Sequence, residues 1–510
     1  MLRDGALYAL IGAEQSRATG RAAGRVVPGR GNDGDETRQV TQQASERLSL
    51  RTLLAFALPA GPIAAMGLPL AVYLPPFYRD YMGFGPAAVG TIFLVIRLWD
   101  VFVDPVLGVT SDRFPTRWGR RRHWIVLSVP IMMLSTFMIF LPERGVGSSY
   151  LVAWMLVLYV GWSLLTLSHA AWGAELADDY HERSRVQSWR QGVLVAGLVT
   201  VVFVPIVAQR LYPENPEPAR IAAMGLFVIV TLPLAVLWAL LRVPERAVPP
   251  RPHVPLRKAF GVLLHNHPLQ LLLAVDLIGG ISTGIVASMF LDLARDVLQL
   301  GQAGSSLLFV YFVSGIVFVA PILKLSHRLG KHRTAVASSL WTVFFLPLVW
   351  LLPAGSLWLA YPLFILLGVN YAGGPFLYYS MMADVAEHDT VQTGQARTGL
   401  FYAFLTMTNK LGQALAIWIA YSILPHVFGF HFGAGNDAAG LAGFKLAYIL
   451  PTVAIALTSA VILRYFPIDE AKQRENRATL QRQALDALAT TVEMTTGEPA
   501  GVEDVRVPLS

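Results

Sequence analysis

The sequence predicts an all-α membrane protein of twelve spanning helices in two six-helix halves, with both termini on the cytoplasmic side. Three observations carry this prediction. Hydrophobic residues make up 54% of the 510 residues and charged residues only 14%, against about 25% charged in an ordinary soluble domain. Apolar runs of about 20 residues, long enough to cross a bilayer as a helix, recur along the chain. Basic residues are concentrated in alternate loops, the pattern that orients a multi-pass protein.

The spans are expected near 51–76, 86–111, 122–141, 149–174, 188–209, 219–242, 267–290, 303–325, 333–352, 356–384, 397–424 and 441–466. The loop after the second carries Arg113, Arg117, Arg120, Arg121 and Arg122. The loops after the fourth and eighth carry Arg183 and Arg185, and Arg328, Lys331 and Arg333. The linker after the sixth holds Arg242, Arg246, Arg251, Arg257 and Lys258. The intervening loops are nearly free of basic residues, so the basic set lies in the cytoplasm and the span count is even. Five segments follow: a disordered tail over 1–50, a six-helix bundle over 51–242, a cytoplasmic linker over 243–260, a second bundle over 261–466 and a polar tail over 467–510. Within the last, Glu470–Thr490 is expected to form a short amphipathic helix.

With no cysteine in the chain, disulfides, thiol catalysis and cysteine metal sites are excluded. No G-x-x-x-x-G-K-[ST] motif is present, so ATP does not drive this chain directly. The net charge of +7 is read as loop charge rather than as a nucleic-acid surface. Neither a cofactor nor a resident metal is expected. Asp178-Asp179-Tyr180-His181-Glu182 has metal-ligand residue types but lacks the helical His-Glu-x-x-His spacing of a zinc enzyme, so the chain is read as a non-enzyme.

The second span holds the most informative residues. Arg97, Asp100 and Asp104 interrupt an otherwise apolar helix. Each charge at the bilayer centre costs roughly 2.5–3.5 kcal/mol on insertion scales. Three facing lipid would cost on the order of 8–10 kcal/mol, so they face the protein interior or a wet cavity. Spacings of three and four place them on one helix face. A buried acid pair beside a base is either a cation or proton site or a structural salt-bridge network.

Two motifs recur at an offset of roughly 200 residues, the period of a six-helix repeat. Gly108-x-x-x-Asp112-Arg113 with Gly119-Arg120-Arg121-Arg122 is echoed by Ser326-His327-Arg328-Leu329-Gly330-Lys331-His332-Arg333. Ala174-Glu175-Leu176-Ala177-Asp178 is echoed by Ala383-Asp384-Val385-Ala386-Glu387. Parallel six-helix halves joined by a cytoplasmic linker are the layout of the major facilitator superfamily.

The resemblance narrows further. Arg97-x-x-Asp100-x-x-x-Asp104-Pro-x-x-Gly108-x-x-x-Asp112-Arg113, continued through Arg122, resembles the signature of the glycoside–pentoside–hexuronide:cation symporters, the melibiose permease-like family. Trp172-Gly173-Ala174-Glu175-Leu176 with Trp189-Arg190, and Ala383-Asp384-Val385 with Arg397-x-Gly399-Leu400 and Asn409-Lys410-Leu411-Gly412, resemble two further regions of it. The resemblance implies that Asp100, Asp104 and Lys410 form a cation-coupling site, with H+ or Na+ as the coupling ion. It also implies that Arg190 and Trp172 lie near the solute. Depth agrees for the coupling site: Asp100 is about 18 Å in from Asp112 and Lys410 about 20 Å in from Arg397 at 1.5 Å per residue, so the groups can meet across the bundle.

Ala64 and Ser168 stand where the family's sugar carriers hold aspartates, and Val103 where they hold an asparagine. Sodium prefers several oxygen ligands and Val103 supplies none, which favours a proton. Ser168, His169, Tyr378 and Thr406 complete the set of expected substrate-facing residues; a satisfied core histidine is the alternative for His169. Asp112, Arg113, Arg120, Arg121, Glu175, Arg183 and Asp384 are expected to form a cytoplasmic gate or, more simply, to signal topology. The expected function is cation-coupled symport of a sugar or glycoside in the bacterial inner membrane by a monomer that binds no nucleic acid. The alternative is transport of an amphipathic, lipid-like solute.

Overall fold

The computed structural model describes residues 47–113, 116, 119, 121–176, 180–244, 256–301, 303–395, 397–433 and 435–496. Most of the expected 1–50 tail, most of the linker, Arg120 and Asp178 lie outside these residues. The described residues from 50 to 496 are mostly helical. Eleven helices among the described residues are long and apolar enough to cross a membrane. We label the main helices α1 (Leu50–Tyr81), α2 (Pro86–Arg113), α3 (Arg122–Phe140), α4 (Ser148–Glu175), α5 (Tyr180–Leu211), α6 (Pro216–Arg242), α7 (His267–Val297), α8 (Ala303–Leu329), α9 (Lys331–Leu351), α10 (Val369–Thr393), α11 (Thr398–Phe428) and α12 (Ala438–Arg464).

Apolar residues face outward as well as inward. On α6, Leu226, Val230, Leu234, Leu237, Trp238 and Leu241 form an exposed stripe, while Met224, Val228, Leu232 and Ala239 on the opposite face are buried. A helix apolar on both faces needs a non-aqueous solvent on the outer one.

The expected tenth span, 356–384, is not one helix. It divides into Leu357–Leu367 and α10, meeting at Gly368. A Cβ at Gly368 would lie 2.0 Å from Ser314 Oγ and 2.7 Å from the Tyr311 carbonyl, so the chain there presses close against α8. Helices α1 and α5 extend beyond their expected limits: α1 continues through two π-helical turns, Pro69–Tyr73 and Phe77–Tyr81, and α5 begins at Tyr180. The tail helix runs over Glu470–Thr496 and lies on α10, with Asn476 against His388 and Arg477 against Glu387.

Helices α7 and α11 make the closest approach near the site. A Cβ on Gly412 would sit 2.3 Å from the Leu277 carbonyl and 3.0 Å from Gly280 Cα. Small residues let two backbones touch where no side chain would fit.

The ends of α1 and α7 farthest from the arginine-rich loop are joined by charge. Arg79 donates to Asp292 at 2.9 and 2.5 Å and to Asp80 at 2.6 and 2.7 Å. Arg295 donates to Asp80 at 2.9 Å and to Asp292 at 3.2 Å. The Arg79 guanidinium also lies over the rings of Tyr421 and Phe432, at 5.1 and 4.1 Å. Bidentate arginine–carboxylate pairs are the strong form of ion pair.

Two outcomes follow. Gly412→Val should reduce the yield of monodisperse protein on size exclusion and cost about 1–3 kcal/mol of stability, as overpacking does. Gly399→Ala, where nothing lies within 4 Å, should melt like the parent. In this cysteine-free chain, Ser288→Cys, buried one turn before Asp292, should resist a membrane-impermeant maleimide. Adding Asp292→Asn should raise its labelling rate at least about tenfold, since breaking a buried pair costs about 3–5 kcal/mol.

Candidate functional site

Helix α2 carries Arg97, Asp100 and Asp104 inward, as the cost of exposing them to lipid requires. Asp100 is 2% exposed and Asp104 retains 23% side-chain exposure. Lys410, from α11, reaches both: its Nζ donates to Asp104 Oδ2 at 2.5 Å and lies 2.9 Å from Asp100 Oδ2, the latter without hydrogen-bond alignment. Ser163 on α4 donates to Asp100 Oδ1 at 3.3 Å. Arg97 sits one turn from Asp100, 3.9 Å away, with its guanidinium 5.5 Å from the Tyr159 ring centroid. The pocket thus holds two acids and two bases drawn from α2 and α11, with Ser163 of α4 beside them. Lys410 is 25% exposed at its side chain, so the pocket is reachable rather than sealed.

Pro105 follows Asp104 inside the helix. It has no N–H to give the carbonyl of Val101 one turn earlier, which leaves that oxygen without its helical donor beside the acid pair. Val103, at 8% exposure, is buried and offers no oxygen.

The other expected solute contacts separate into two groups. Trp172, Ser168 and His169, expected to face the solute, are buried core residues in this structure. His169 Nε2 lies 2.7 Å from the Phe56 carbonyl and its ring stacks on Phe56 at 4.6 Å. Trp172 donates to the Pro244 carbonyl at 3.3 Å and meets Phe56 edge-on. Ser168 is fully buried beside them. Packing between α1 and α4 claims all three. Arg190 is partly exposed and reaches only as far as Gln187 Oε1, at 3.5 Å. Thr406 is exposed, bonded to the Tyr402 carbonyl at 3.0 Å and near the Tyr379 hydroxyl at 3.4 Å. Tyr378 is buried and lines a separate cavity among the later helices.

Of the expected gate residues, the side chains of Asp112, Arg113 and Arg183 lie outside the description, as does Arg120. Arg121 donates to Glu175 at 2.9 Å and to Ser111 at 3.3 Å, joining α2, α3 and α4. Asp384 accepts from Lys331 at 2.7 and 2.8 Å and from Gln473. These ion pairs join near neighbours. Among the described residues, ion pairs between the first six main helices and the last six occur at the Lys410 pocket and at the Arg79–Asp292 cluster. Sequence reasoning missed that cluster, although its signal was visible: Arg-Asp stands at the end of both α1 and α7, as Arg79-Asp80 and Arg295-Asp296.

Comparison with known proteins agrees with this architecture. The family model described as "MFS/sugar transport protein" matches residues 55–470. The chain is 26% identical to the glucuronide carrier protein homolog of Escherichia coli (strain K12), over 86% of this chain and 99% of that protein. It is 24% identical to the isoprimeverose transporter of Lactiplantibacillus pentosus, over 79% and 86%. It is also 24% identical to the sodium-dependent lysophosphatidylcholine symporter 1 of Gallus gallus, over 92% and 95%. Among solved structures, a D-xylose-proton symporter aligns with TM-score 0.59 and 14% identity, over 82% of this chain and 96% of that one. The nucleoside transporter NupG aligns with TM-score 0.58 and 13% identity, over 82% and 100%. These proteins are transporters, not enzymes. The chain belongs to the MFS/sugar transport protein family and is a multi-pass membrane transporter of the glycoside–pentoside–hexuronide:cation symporter type.

Proposed function

We propose that this protein carries a small polar solute, a sugar or glycoside, together with a cation across the bacterial inner membrane by alternating access. The observation that carries this reading is the single ammonium of Lys410 held between Asp100 and Asp104. A cation entering between the acids competes with Lys410 for the same oxygens. It therefore weakens a contact between α2 and α11 and changes how firmly the two helices are tied. A ligand moves such an equilibrium only by binding the two states differently, and this competition supplies the difference.

In this proposal the chain crosses the membrane twelve times, with α10 and its apolar forerunner making the tenth crossing and both termini in the cytoplasm. Bundles over 51–242 and 261–466 rock about a midplane site. The transporter acts as a monomer, binds no nucleic acid, and uses Arg190 and Thr406 as solute contacts. Arg121, Glu175 and Asp384 steady the cytoplasmic helix ends. Val103 and the ammonium between the acids leave few oxygens for a sodium ion, which prefers several, so the coupling ion is assigned as a proton, with sodium the alternative. A lipid-like solute is the second reading. It is favoured by Ala64 and Ser168, which provide no carboxylates for sugar hydroxyls, and by the name of the lysophosphatidylcholine relative.

The test is uptake into proteoliposomes of a panel of glucuronides, pentose glycosides and lysophosphatidylcholine, under an imposed proton or sodium gradient. One solute class should accumulate, driven by the proton gradient. Asp100→Asn and Lys410→Ala should each abolish accumulation while the protein still elutes as a folded species. Accumulation that survives both substitutions would remove the pocket from the coupling step. Accumulation that needs sodium and ignores pH would reassign the ion.

A further inference from the structure

Asp276 on α7 is a buried acid that the Lys410 pocket does not use. It is 2% exposed, and among the described residues it makes no ion pair with a basic side chain. Its partners are neutral: Thr408 Oγ1 at 2.8 Å from Oδ2 and Asn409 Nδ2 at 3.4 Å from Oδ1. An ionised carboxylate placed there would lose its hydration without a compensating charge, which inside a membrane protein marks a site for a cation or a proton.

The hydrogen-bond geometry selects the proton. The Thr408 hydroxyl has one hydrogen and three acceptors within reach: Asp276 Oδ2, the Phe404 carbonyl at 3.1 Å and the Leu405 carbonyl at 3.0 Å. With Asp276 ionised, Thr408 donates to it. With Asp276 protonated, the carboxyl O–H donates to Thr408 Oγ1, and Thr408 turns its hydrogen to a carbonyl of its own helix. Both states are satisfied with no heavy atom moved. A metal ion would require additional oxygens to converge on the carboxylate.

The surroundings leave Asp276 to titrate alone. It lines a cavity of about 250 Å³ with Ser282, Ser338, Thr342 and Gln413 among its polar neighbours, a lining that suits water. The other titratable side chains facing that cavity are the phenols Tyr311 on α8, Tyr378 on α10 and Tyr448 on α12. From α11, Lys410 is the nearest charge in sequence, and its ammonium is engaged with Asp104 and Asp100.

We propose that Asp276 is a second proton-binding site, separate from the Asp100–Asp104–Lys410 pocket and set against the two residues that immediately precede Lys410. Protonation exchanges the donor and acceptor roles of Thr408 within α11, so the proton held on α7 is communicated to the helix that carries the lysine.

Infrared difference spectroscopy on the purified full-length protein tests this, through the C=O stretch of a protonated carboxylic acid and its shift in deuterium oxide. On lowering the pH the parent should gain such a band. It should vanish in Asp276→Asn, persist in Asp104→Asn, and be displaced but present in Thr408→Val, which removes the acceptor and keeps the shape. The Thr408 variant retains the test if Asp276→Asn fails to fold. A parent without the band, or a band that survives Asp276→Asn, overturns the proposal. So does a melting midpoint that rises with sodium chloride but not choline chloride and loses that response in Asp276→Asn, because the site would then take sodium.

Discussion

The bilayer's intolerance of charge is the constraint on which this structure depends, and the contact of Lys410 with Asp100 and Asp104 is its consequence. None of the three can face lipid without a cost of several kcal/mol, so α2 and α11 must present them to one another. That single demand fixes the rotation of two helices. It also brings Ser163 of α4 and Arg97 into the same polar pocket, because Asp100 still has lone pairs to satisfy after Lys410 has approached. The pocket balances two acids with two bases and is partly open.

Close packing gives those charges a firm frame. Gly412 lets α11 lie against α7 with backbone touching backbone. Two residues before it stands Lys410 and, just ahead of that, the Thr408–Asn409 pair that meets Asp276. One helix face is therefore packed backbone to backbone while the next carries the ion pair. The arrangement is also uneven from end to end. At the end away from the arginine-rich loop, Arg79 and Arg295 join α1 to α7 through buried or partly buried carboxylates. Nearer that loop, Arg121–Glu175 joins α3 to α4 and Lys331–Asp384 joins α9 to α10.

The chain's amino acids determined a great deal without coordinates. The cost of membrane charge and the three- and four-residue spacing of Arg97, Asp100 and Asp104 put them on one inward face, and counting depth along α2 and α11 brought Lys410 to the same level. The all-helical membrane class followed from apolar runs of bilayer length, because a backbone in lipid must satisfy its own hydrogen bonds. What only the tertiary structure decided was which neighbour each polar group meets. Periodicity could place His169 and Trp172 on an inner helix, but Phe56 of α1, more than a hundred residues earlier, claims them for the core. The close contact of Gly368 is with Ser314 and Tyr311 of another helix. The repeated Arg-Asp pairs were plain in the sequence, yet their joining of α1 to α7 depends on how two helix ends approach in space. Local spacing fixes the face a residue occupies; long-range packing fixes what stands opposite it.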